Sequence, residues 1–117
     1  MANGIEFTVS KDNAREIEEA IQRGCDLALK AMGEIVEGYA KEDCPVDTGR
    51  LRNSITHEST GTNERSVGSD VEYAPYVEFI DRYNHPVGKA HFLRDAGVTH
   101  IDELQKTSEA AIRAALD

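Results

Sequence analysis

Pro45-Val46-Asp47-Thr48-Gly49-Arg50-Leu51-Arg52-Asn53-Ser54-Ile55 is the stretch on which the fold turns. Pro45 has no amide hydrogen and stops a helix arriving from upstream. Thr48 is a good N-cap for a single helical turn through Arg50 to Asn53, because its hydroxyl accepts the amide of a residue two or three further on. Beyond that turn the pattern changes, so this segment is the corner between two kinds of structure.

Upstream, Ile5, Phe7 and Val9 alternate with Glu6 and Thr8, the period-two pattern of a short strand with one buried face. Ser10 or Asp12 then serves as a helix cap. Ile17, Ile21, Cys25, Ala28, Met32, Ile35, Val36 and Tyr39 follow in steps of mostly three and four, and the charged residues fall mainly elsewhere. That spacing predicts one amphipathic helix of about eight turns, ended by Pro45. Gly24, Gly33 and Gly38 each lower local helicity by about a kcal/mol relative to alanine, so bending or close packing is expected at them.

Downstream, Ile55 to Thr60 and Arg65 to Val71 read as strands joined by the hairpin loop Gly61-Thr62-Asn63-Glu64. Tyr73 to Ile80 reads as one or two helical turns with Pro75 near the start, where a first-turn position tolerates it. Asp81 to Ala90, polar and holding Pro86 and Gly88, reads as a loop. Ile101 to Leu116 is a closing amphipathic helix, with Thr99 or Asp102 available near its start. The fold class is α+β: a long N-terminal amphipathic helix packed on a small antiparallel β-sheet, with a C-terminal helix. Residues 1–117 read as a single domain with a thin core, so self-association is expected to supply part of the stability.

The formal charge of −9 divides into 5 basic against 10 acidic residues over positions 1–44 and 8 against 12 over 45–117. Neither half is a basic arm, which disfavours sequence-independent DNA binding and weighs against a repressor or a nuclease, and no specific nucleic-acid partner is expected. An acidic subunit is compatible with a conduit that DNA slides through without sticking. Cys25 and Cys44 would lie about 28 Å apart along a straight helix, too far for a disulfide, and read as reduced thiols. The first ten residues show no basic or apolar signal region, and no window approaches a membrane span, so neither secretion by a signal peptide nor a membrane role is expected.

Catalytic and metal readings are weak. Asp47-Thr48-Gly49 is the tripeptide of aspartic proteases, and a chain of this length could pair two aspartates in a dimer. In those enzymes the tripeptide ends an apolar strand and small residues follow. Here Asp43-Cys44-Pro45-Val46 precedes it and Arg50-Leu51-Arg52 follows. His57, His85, His91 and His100 are spaced by 28, 6 and 9, which matches no compact ligand motif. No phosphate loop, dinucleotide fingerprint or nucleophile elbow is present, so no cofactor is implied. Arg50, Arg52 and Arg94 read equally as contacts to neighbouring subunits or as solvated charges. Five of the seven aromatics, Tyr73, Tyr76, Phe79, Tyr83 and Phe92, fall within 20 residues. Tyr76 and Phe79 read as core, while Tyr83, beside Asp81, Arg82 and Asn84, reads as an interface anchor.

The long helix, then P-V-D-T-G-R-L-R-N-S-I, then V-G-S-D-V-E-Y-A-P-Y-V-E-F, then F-L-R-D-A and a last helix resemble the minor structural proteins of long-tailed bacteriophages, the HK-ninety-seven gene-product-ten-like family. The resemblance covers nearly the whole chain. It carries over Pro45, Asp47, Thr48, Gly49, Arg50 and Leu51, then Tyr73, Ala74, Pro75, Tyr76, Val77, Glu78 and Phe79, then Phe92, Leu93 and Arg94, as fold-defining positions. Arg50, Arg52, Arg82 and Tyr83 are interface candidates. Ile80 departs from the family's usual glycine and His91 from its frequent proline. The resemblance implies a non-enzymatic virion component made in the bacterial cytoplasm, a ring of copies joining the head connector or adaptor to the tail tube or tail terminator. The alternatives are the dimeric protease using Asp47 and a prophage-encoded regulatory binding module.

Overall fold

The computed structural model describes residues 10, 12–45, 49–79 and 91–117, apart from the side chains of Tyr76 and Phe79. The strand expected over Ile5 to Val9, the Thr48 cap and the loop at Asp81 to Ala90 lie outside the described residues.

Helix α1 (Ala14–Asp43) runs 30 residues, about 45 Å, and stops before Pro45 as expected. Its entry differs in detail: Asn13 takes the cap position, and its Oδ1 accepts the Ser10 amide at 2.6 Å. The residues α1 buries most completely are not its large apolar ones but Gly24, Ala28, Gly33 and Ala40. Small residues let neighbouring backbone and side chains come close. A Cβ on Gly24 would lie 3.0 Å from Ile112 Cα, and one on Gly33 would lie 2.7 Å from Arg65 Cδ, whereas Gly38 has open space around it.

Gly49, at a φ of 83° that favours glycine, delivers the chain into α2 (Arg50–Ser54). Strands β1 (Thr56–Gly61) and β2 (Glu64–Gly68) form a two-stranded antiparallel sheet with His57 opposite Val67. β1 keeps the expected length but starts one residue later, and β2 ends at Gly68 rather than at Val71. Ile55 and Val71 leave the ladder and are buried in the core instead. Ser69 makes that exit, its Oγ meeting Ser54 Oγ at 2.5 Å and accepting the Val71 amide at 3.1 Å.

Helix α3 (Ala74–Phe79) follows, then α4 (Phe92–Val98), which periodicity did not predict, and α5 (Ile101–Leu116), whose bounds match expectation. α5 returns antiparallel along α1. Near its start His100 stacks on Tyr39 with ring centroids 3.5 Å apart, and the Tyr39 hydroxyl donates to Glu103 at 2.5 Å. Donating to that carboxylate favours the protonated phenol and raises the Tyr39 pKa above its ordinary value. The core proper sits at this end of α1, where Ala40, Cys44, Leu51, Ile55, Val71, Ala74, Phe92 and Ala96 close on one another, with Tyr39 packed against them. The whole is elongated, 59 × 27 × 18 Å, with a radius of gyration of 18.3 Å against about 13 Å for a compact domain of this length.

Candidate functional site

The three motif segments converge at the C-terminal end of α1. Leu51 from the first, Ala74 from the second and Phe92 from the third share one core. Pro45 brings the chain out of α1, its carbonyl accepting the Cys44 thiol at 3.4 Å. Arg50 turns outward and grips Glu72 through two nitrogens at 2.9 Å each, with its guanidinium 5.6 Å from the centre of the Tyr73 ring. The fork geometry suits a carboxylate, and the pairing lowers the Glu72 carboxyl below its ordinary value. Arg50, an interface candidate, is thus engaged inside its own chain.

Glu78 links the second motif to the third. It is only 4% exposed, and its Oε1 accepts the amides of Leu93 at 2.8 Å and Arg94 at 3.2 Å, two donors that the first turn of α4 leaves free. Its backbone carbonyl accepts the His91 amide at 2.9 Å. Glu78 thus ties the end of α3 to the start of α4. His91 sits at φ 60°, an angle closed to proline, so the histidine and the bonded amide belong together where the resemblance has an imino acid. Val77 and Leu93 pack on the core edge. Pro75 and Arg52 are exposed, and Arg94 pairs with Asp95 at 3.0 Å. Val46, Asp47, Thr48, Arg82 and Tyr83 lie outside the described residues, so Asp47 as a catalytic carboxylate has no geometry.

Sequence reasoning missed three contacts. Glu72 as the partner of Arg50 carried no signal beyond a charge 22 positions away. The Tyr39–His100 stack joins elements far apart in sequence. Arg65 Nη1 donates to His57 Nδ1 at 2.9 Å over Gly33, a cross-strand diagonal that the register alone would have suggested.

One groove of the described surface, about 400 Å³, is open and lined by Ser54, Thr56, Glu58, Ser66, Ser69 and Asp70 among others. Burial pushes the Cys44 thiol up to about 11, opposite to what a nucleophile needs. Among the described residues no three histidine, cysteine or carboxylate side chains group to hold a metal, and no helix is long and apolar enough to cross a membrane.

A family model described as "Bacteriophage HK97-gp10, putative tail-component" matches residues 10–79, which take in α1, both strands and the first two motif segments. No curated protein and no solved structure matches the chain. The match covers more than half of the chain, including the corner at Pro45 and the turn into α3. The chain belongs to the HK97-gp10-like family of bacteriophage tail components.

Proposed function

We propose that this tail component is a structural, non-enzymatic subunit that completes the tail or joins it to the head, working as an oligomeric ring. The family match over residues 10–79 carries the reading. The motif residues support it, because Leu51, Ala74, Glu78 and Phe92 are buried in holding helices together rather than arrayed around a cavity. Elongation supports it too: a subunit 59 Å long with little enclosed core has a large surface for neighbours. The excess of acidic groups, −9 in all, suits a wall beside DNA that must pass without being held. Its partners are copies of itself, the head connector or adaptor on one side, and the tail tube or tail terminator on the other. It would assemble in the host cytoplasm and reside in the virion.

The test is mass by light scattering over a concentration series, with negative-stain imaging, repeated with a purified head connector as template. Annular particles, alone or on the connector, are expected. A strict dimer that cleaves peptides and loses that activity in Asp47→Asn would overturn the reading in favour of the protease.

A further inference from the structure

The hairpin has two backbone edges that no described residue pairs with, since β1 and β2 bond only to each other. β1 is the barer strand, exposed at every position except His57. Its ladder is regular from Thr56 to Ser59 and shifts register only between Ser59 and Gly61, at the tip. Such an edge presents unpaired N–H and C=O groups and templates another strand unless proline, lysine or a bulge blunts it. β1 contains neither proline nor lysine, and its irregularity is confined to one end.

One further segment has strand periodicity, Ile5-Glu6-Phe7-Thr8-Val9. Its alternation suits a sheet with one side on a helix and the other in water. It is too short to reach this edge within its own chain. Asn63 at the hairpin tip accepts from Gln22 at 2.8 Å, and His57 and Arg65 sit over Gly33, so the hairpin runs along α1 from Gln22 past Gly33. Ser10 is held at the far end, its carbonyl accepting the Ala14 amide at 3.0 Å. Ala14 to Gln22 spans about 12 Å of helix and Gln22 to Gly33 about 16 Å more. Ile5 to Ser10 fully extended covers about 17 Å, which ends near the tip and leaves Thr56 to Ser59 out of reach.

We propose that the Ile5–Val9 segment of one copy adds as a third strand to the β1 edge of a neighbouring copy. The inference rests on the self-association reading and supplies its joint. Donor segment and acceptor edge are different parts of the chain, so each copy gives to one neighbour and receives from the other. A head-to-tail contact of that kind generates rings when its rotation closes.

Phe7→Pro removes the donor strand and leaves β1 intact. Where the wild-type chain associates, the variant should associate at least tenfold more weakly, with its melting temperature unchanged at high dilution. A peptide of residues 1–10 titrated into the full-length Phe7→Pro chain should shift the backbone amide resonances of Thr56 to Gly61. Unchanged association of the variant, a melting loss at high dilution, or amides that ignore the peptide would each overturn the joint. Rings that persist in the variant would leave the ring reading standing without this joint. Peptide binding to β1 by a chain that never forms rings would keep the joint and sink the ring.

Discussion

The two ends of α1 are held by different physics. At its C-terminal end Ala40 and Cys44 have no exposed surface, and α2, α3 and α4 close over them with Phe92 and Ile55 as the large fillers. Toward its N-terminus, among the described residues, the partner beyond the hairpin tip is α5, which fully buries none of its own residues. Ile21 remains 43% exposed there, and the pair approaches through Gly24 rather than through interlocked large side chains. One end is thus a small closed core and the other a two-helix arm with a shallow seam. The contrast teaches that stability and assembly are divided along one helix. The closed end holds the motif residues, and the arm and hairpin hold the unpartnered surface.

Four measurements break or sharpen that contrast. Phe92→Ala should cost about 3–5 kcal/mol in urea unfolding, since it empties the middle of the closed core; a loss near zero would mean that the core is not what holds this end. The two glycines should then part in sign. Gly24→Ala should lower stability by about 1–2 kcal/mol, because its methyl meets α5 backbone that cannot step aside. Gly38→Ala has space and should raise stability by up to about 1 kcal/mol through helix propensity alone. If both alanines stabilise, the seam between α1 and α5 is looser than described.

The Cys44 thiol, raised by burial to about 11, gives a pH test of the closed end. Below the thiol's ordinary value both folded and unfolded chains are protonated there and the shift has no effect. As the pH rises past that value the unfolded thiol ionises first, so stability should decline toward pH 11. The decline should vanish in Cys44→Ala, and at pH 8 iodoacetamide should modify half-buried Cys25 before Cys44. Smallest of all, Ile101→Ala, at a position 58% exposed, should change stability by no more than about 0.5 kcal/mol. A large loss would show that the arm buries more of its surface than a single chain does, as assembly would require.

Much of the fold was legible because it is periodic. The three-four spacing marked α1 and α5 as helices, and four loop-forming residues between apolar runs marked the hairpin. Helix α4 was not legible, because seven residues are too few for a period and its entry depends on His91 at φ 60° and on Glu78 supplying a carboxylate from 15 positions away. Strand ends were misjudged at Ile55 and Val71 because an apolar residue fits a core as well as a ladder. The motif positions were expected to define the fold; Leu51, Ala74, Glu78 and Phe92 among them are buried, and the role of each was not legible. Arg50 grips Glu72, and Glu78 caps α4, only because the fold brings distant segments side by side.

By itself the sequence determined α1, α5, the hairpin and the family: local spacing, Pro45 and Gly49 act on near neighbours, and the motif strings need no third dimension to match. Tertiary structure alone decided which residues are buried. Of the apolar stripe of α1 only Ala28 is fully buried, and the rest of the burial went to Gly24, Gly33 and Ala40, because close approach is set by how near α5, the hairpin and α4 can come. It also decided that no described residue pairs with the hairpin's outer edges, since an edge is defined by what lies beside a strand and not by the strand's own residues.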